Sequence, residues 1–139
     1  MTIKPSTYKE AAKAETLFIP LFQDNPVFKQ EFFSHLGRAI QSLLREFAKR
    51  EFRGEEIQTT SLWLPKGKPR RIVLFGLGKK DQWQERKFPL LPRRMVQYAK
   101  KEGIKNFAAI VSPDLSRNPI HDSMRFAAEA TTAAFEFTR

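Results

Sequence analysis

The chain has 139 residues, 41% of them hydrophobic, with 13 Phe and no Cys. That length suits one domain with a buried core, the composition lies outside the disordered regime, and missing thiols exclude disulfides, thiol catalysis and thiolate metal sites. Twenty-five basic against 15 acidic side chains give a formal charge of +10, which admits a polyanionic partner without requiring one.

Leu17-Phe18-Ile19-Pro20-Leu21-Phe22 reads as a buried strand. Pro20 has no amide to donate, which predicts an edge position or a bulge there. Asn25-Pro26 then opens a helix, Asn as cap and Pro at the first helical position. Its apolar stripe is Phe28, Phe32, Leu36, Ile40, Leu43 and Phe47, widened by Phe33 and Leu44. Gly54 is the expected terminator. Ile57 to Leu64 is rich in strand formers, and the turn Pro65 to Pro69 leads into Ile72-Val73-Leu74-Phe75, so a hairpin is predicted. Those four apolar residues do not alternate, which suits a strand covered on both faces. A short helix starts near Pro92, carries Met95, Val96, Tyr98 and Ala99 inward, and stops at Gly103. Phe107-Ala108-Ala109-Ile110-Val111 is another buried strand, ended by Ser112-Pro113. Asn118-Pro119 opens a last helix, packed through Met124, Ala127, Ala128, Thr131, Ala134 and Phe135. It runs to Arg139 without a cap, so the element reads as interrupted rather than finished. The order predicts an α/β fold, a three-layer α/β/α sandwich over a mixed sheet.

Residues able to do chemistry are sparse. His35 lies beside an apolar stripe with no partner at metal spacing, so it reads as a packing or surface residue. His121-Asp122 falls in the first turn of the last helix, where Asp122 complements the dipole. Glu55-Glu56 follows a helix end and reads as solvated. There is no Gly-x-Ser-x-Gly elbow and no His-Glu-x-x-His motif. Gly76-Leu77-Gly78-Lys79 lacks the third glycine of a dinucleotide fingerprint and the Gly-Lys-Ser/Thr of a P-loop, and it reads first as a tight turn. With Lys80 it is also the one candidate contact for an anion or nucleotide: Gly76, Gly78, Lys79 and Lys80. No catalytic, cofactor-binding or metal-ligating residue is expected. The basic residues Lys66, Lys68, Arg70, Arg71, Lys79, Lys80, Arg93, Arg94, Lys100, Lys101 and Lys105 are dispersed, without interleaved aromatics. They read as a solvated surface, with DNA or an acidic partner domain as the alternatives. No run is long enough to cross a bilayer, and residues 1–14 lack a signal-peptide core, so a cytoplasmic protein with no membrane partner is expected.

Four segments resemble the N-terminal domain of the leucyl aminopeptidases, the cytosol aminopeptidases with two metal ions. They are Thr16 to Phe22, the turn Phe52-Arg53-Gly54-Glu55, the stretch Arg70 to Lys80, and the ending Ala128 to Arg139. The stretch Arg70 to Lys80 is the most specific. Pro89 and Pro92 interrupt what is usually a cleaner Ala-rich helix, and Phe135 stands where Tyr is usual. The resemblance implies a macro-domain-like fold and a single non-catalytic N-terminal domain over 1–139. Removal of N-terminal amino acids from peptides would then belong to a C-terminal catalytic domain absent from this chain. That domain carries Asn-Thr-Asp-Ala-Glu-Gly-Arg and the Lys, Asp and Glu ligands of two Zn²⁺ or Mn²⁺ ions. None of that motif occurs here, so no metal or catalytic residue carries over. The resemblance also implies roles in hexamer assembly and in access to the active site, and DNA binding in some bacterial members. Two alternatives accompany it. One is a macro-like ADP-ribose or nucleotide module at Gly76 to Lys79, although the Asn-rich and Gly-rich loops of such binders are missing. The other is a DNA-binding domain through Lys66 to Arg71 and Lys79-Lys80.

Overall fold

The computed structural model describes residues 2–23, 31–52, 54–55, 58–65, 67–84, 87, 90–110 and 134–138. In chain order the elements are β1 (Thr2–Ser6), α1 (Tyr8–Ala11), β2 (Thr16–Leu21), α2 (Arg38–Glu51), β3 (Thr59–Trp63), β4 (Arg71–Gly76), α3 (Leu90–Glu102), β5 (Asn106–Ile110) and β6 (Ala134–Thr138). Short 3-10 turns occupy Glu31–His35 and Lys80–Gln82.

The uninterrupted apolar runs become the centre of the sheet, as a strand covered on both faces requires. The strand order is β1-β6-β5-β2-β4-β3. β2 runs parallel to β4 and to β5, whereas β3–β4, β5–β6 and β1–β6 are antiparallel. Alternation then divides the side chains between two faces. Phe18, Val73, Phe75, Phe107, Phe135 and Phe137 pack with Leu91, Met95 and Ala99 of α3. Leu17, Ile19, Leu21, Ile72, Leu74, Ala108 and Ala134 pack on the other side with Ala11, Phe32, Phe33, Leu36 and Leu44. The result is an α/β fold with helices on both faces of a mixed sheet. Aromatic rings line the α3 face: Phe18 stacks on Phe107 at 4.1 Å and Phe107 on Phe137 at 4.6 Å.

Several expectations need correcting. Pro20 lies in a central strand and not at an edge. Leu21 accepts a bond from Leu77 of the β4 side, so Pro20, one residue away, turns its donor-less nitrogen toward β5. The described register with β5 ends at Phe18↔Ala109, before that position is reached. The predicted long helix is two pieces. Gly37 is extended at ψ 154 and separates the 3-10 turn from α2, so the stripe from Phe32 to Phe47 does not lie along one helix. Leu43 is exposed at 41%, and Leu44 takes the buried position. α2 ends at Glu51, ahead of Gly54. Residues 134–138, expected in a helix, form β6 between β5 and β1. There Phe135 and Phe137 reach one core while Ala134 reaches the other. β1 and α1 have no counterpart in the sequence reading. α1 is short and depends on Thr7, whose side chain accepts from the Glu10 amide at 3.2 Å. The remainder of the predicted last helix, with His121 and Asp122, lies outside the described residues, as do Asn25-Pro26 and Phe28.

Candidate functional site

The carboxyl ends of parallel strands are where ligands usually meet α/β sheets, and Gly76 closes β4 at that end. Gly76 has no room for a side chain: a Cβ there would stand 1.8 Å from the Glu55 carbonyl oxygen. The chain from Gly54 to Glu55 therefore rests directly on the strand end, and Gly54 itself sits at φ +76. Backbone bonds seal the junction. The Gly76 amide donates to Gln58 O at 2.7 Å, Leu77 to Leu21 O at 2.9 Å, and Gly78 to Gly54 O at 2.9 Å. Gly78, at φ +79, accepts from the Gln23 amide at 2.9 Å. The glycines are thus needed for close approach and for left-handed backbone.

This geometry bears on the candidate anion contact at Gly76, Gly78, Lys79 and Lys80. The amides of residues 76 to 78 are all directed to internal carbonyls, so the main chain offers no open nest there. What the turn presents to solvent is the side chains of Lys79 and Lys80, both exposed. Beside it lies a groove of about 350 Å³ lined by Leu77, Trp83, Lys87, Leu90, Leu91 and Arg94. Its lining is apolar apart from the Lys87 and Arg94 side chains.

Two arginines read as solvated charge in the sequence turn out to be structural. Arg94 of α3 donates to Gly76 O at 2.6 Å, to Gln58 O at 2.7 Å and to Thr59 Oγ1 at 3.0 Å. It ties the helix to the ends of β3 and β4. Arg71, buried at the opposite end of β4, donates to Ser61 Oγ at 2.8 Å, to Tyr98 Oη at 2.9 Å and to Glu102 Oε1 at 2.7 Å. Its guanidinium also lies 4.7 Å from the ring centroid of Trp63. Neither role carries a local signal, because both partners are distant in sequence. Among the remaining candidates, His35 is exposed and its ring lies 5.8 Å from Tyr8, and Glu55 is exposed.

The segments of Thr16 to Phe22, Gly54-Glu55 and Gly76-Leu77-Gly78 therefore meet at one junction, which is the geometry behind the resemblance. A profile of the cytosol aminopeptidase family, N-terminal domain, matches residues 19–139. The chain belongs to that family. A comparison with curated proteins gives no match. In this N-terminal domain of the cytosol aminopeptidase family, no group of three or more His, Asp or Glu is placed to hold a metal among the described residues. No helix among them is long and apolar enough to cross a membrane. The two divalent ions that the family resemblance implies thus find no fitting ligand set among the described residues.

Proposed function

We propose that this chain is the non-catalytic N-terminal domain of a two-metal leucyl aminopeptidase that removes N-terminal amino acids from peptides in the cytoplasm. Its work is assembly of the oligomer, a hexamer in the parent enzyme, and shaping access to an active site in a C-terminal catalytic domain. The observation that carries the reading is the family match over residues 19–139. The sealed junction at Gly54, Gly76 and Gly78 supports it, since the segment on which the resemblance chiefly rests is occupied in holding the fold. The Zn²⁺ or Mn²⁺ ions belong, on this reading, to the catalytic domain.

The nucleotide-binding alternative has less support, because the amides that would cradle a phosphate already have acceptors. An anion at that turn would meet the exposed Lys79 and Lys80 side chains, an electrostatic contact that would serve DNA equally. Reading the coding sequence beyond codon 139 tests the proposal. The Asn-Thr-Asp-Ala-Glu-Gly-Arg motif is expected downstream, and its absence would count decisively against the parent enzyme. The chain alone, supplied with Mn²⁺ and leucine p-nitroanilide, is expected to release no chromophore. Turnover by the pure chain would overturn the non-catalytic role.

A further inference from the structure

The end of the sheet opposite the glycine junction holds a groove of about 580 Å³, within the range of small-molecule sites. It lies where β2, β4 and β5 begin and α3 ends. Its described charged lining is balanced: Arg70, Arg71 and Lys105 stand against Glu15, Glu102 and Glu136. In a chain of formal charge +10, that balance sets the groove apart from a surface suited to polyanions. Trp63, Ile104 and Phe107 add apolar surface, and the Trp63 indole is 66% exposed.

Arg71 gives the groove an anchor. Its side chain is only 7% exposed. Nε donates to Ser61 Oγ, and Nη2 donates to Tyr98 Oη and Glu102 Oε1. Nη1, with two N–H groups, has no hydrogen-bond partner among the described residues. Buried donors are normally satisfied, so an acceptor is missing from this site. Glu102 offers the complement. Oε1 takes the bonds from Arg71 and Tyr98, and Oε2 accepts none among the described residues. One ion pair therefore carries an unused donor on its cation and an unused acceptor on its anion. A simple anion at Nη1 would be repelled by Glu102, and a simple cation at Oε2 by Arg71. A molecule with opposite charges on adjacent groups escapes both penalties.

We propose that this groove binds a free α-amino acid with an apolar side chain. Its carboxylate accepts from Arg71 Nη1, its ammonium donates to Glu102 Oε2, and its side chain lies against the exposed indole of Trp63. Ser61 and Tyr98 already fix the guanidinium, so little ordering is needed on binding. The inference goes beyond the aminopeptidase reading and does not depend on it, although such an acid is what the proposed parent enzyme would release.

Proton–nitrogen correlation NMR of the full chain, titrated with L-leucine, tests the site. The Trp63 indole N–H and the Gly103 amide should shift and saturate with a Kd of about 1 mM, a weak small-ligand affinity, while the Trp83 indole stays in place. N-acetyl-L-leucine lacks the ammonium and L-leucinamide lacks the carboxylate. Each should bind at least about tenfold more weakly, the loss of one charged hydrogen bond. Glu102→Gln should weaken L-leucine by a similar factor and leave N-acetyl-L-leucine no weaker than before. If that variant does not fold, the three ligands on the unaltered chain decide alone. No saturable shift up to about 20 mM, beyond which binding is negligible, overturns the proposal. So does N-acetyl-L-leucine, L-leucinamide or inorganic phosphate binding as tightly as L-leucine. Either failure leaves the aminopeptidase reading standing, because that rests on the family match over residues 19–139.

Discussion

Arg71 and Arg94 brace the same edge of the sheet to α3 from opposite ends of β3, and their charges are met in different ways. Arg71 has a carboxylate, Glu102, at 2.7 Å, together with two hydroxyls and an indole face. Arg94 is held by carbonyl oxygens of Gly76 and Gln58 and the hydroxyl of Thr59, with its guanidinium 5.3 Å from the Phe75 ring centroid. One end of the strand pair is fastened by an ion pair between side chains, the other by a side chain clasping main chain. The second arrangement makes the carboxyl end depend on backbone position, and so on the glycines there.

The largest expected effect comes from breaking the main-chain end. Gly76→Ala would drive a methyl group into the Glu55 carbonyl, 1.8 Å from the Cβ position. Backbone cannot yield as a flexible side chain can, so a loss of about 3 kcal/mol or more is expected. Urea unfolding monitored by tryptophan fluorescence would measure it. A loss below about 1 kcal/mol, smaller than ordinary core substitutions give, would show that the Gly54–Glu55 segment moves freely.

Next comes the side-chain end. Arg71→Met keeps the stem but leaves Tyr98 and Ser61 without the guanidinium donor, and leaves Glu102 the long bond from Tyr98 Oη at 3.5 Å. Breaking a buried pair costs about 3–5 kcal/mol, and the 36% exposure of the Glu102 side chain lets water recover part of that. About 2 kcal/mol is expected after this screening. Combining it with Glu102→Gln in a double-mutant cycle should return a coupling that shrinks in high salt.

Arg94→Met should cost somewhat less, about 1.5 kcal/mol, since Gln58 O keeps its bond from the Gly76 amide and charged hydrogen bonds contribute about 1.5–3 kcal/mol each before such compensation. Urea unfolding of Arg94→Met beside Arg71→Met measures both losses. An Arg94 loss below about 0.5 kcal/mol, the range of ordinary surface substitutions, would show that this side chain does not fasten the strand ends.

How far this could be read beforehand depends on the range of the signal. The cores of β2, β4 and β5 declare themselves as continuous apolar runs, and of the four residues read as inward on α3, Met95 and Ala99 are buried while Val96 and Tyr98 are partly so; the helix starts at Leu90, ahead of Pro92, and buries Leu91 as well. The β3–β4 hairpin follows from the Pro and Gly of its turn. The stripe from Phe32 to Phe47 misleads because its spacing continues across Gly37, and periodicity cannot register a break on the polar side. β6 misleads because the Ala-rich sequence leading into it favours helix, whereas the slot between β5 and β1 takes Phe135 and Phe137 into one core and Ala134 into the other. At the junction, the need for glycine at 76 and 78 is visible as a tight turn, but the approach of Gly54–Glu55 arises from tertiary placement. Arg71 and Arg94 look like any other surface cation until their distant partners are known.

The smallest effect belongs to Trp63→Ala, at the Arg71 end. In the isolated domain Trp63 contributes a cation–π contact with most of its surface still in water, so about 0.5 kcal/mol is expected. Thermal unfolding of the variant measures it. A loss well above about 1 kcal/mol, more than an exposed cation–π contact gives, would show that the indole supports Arg71 by more than that contact.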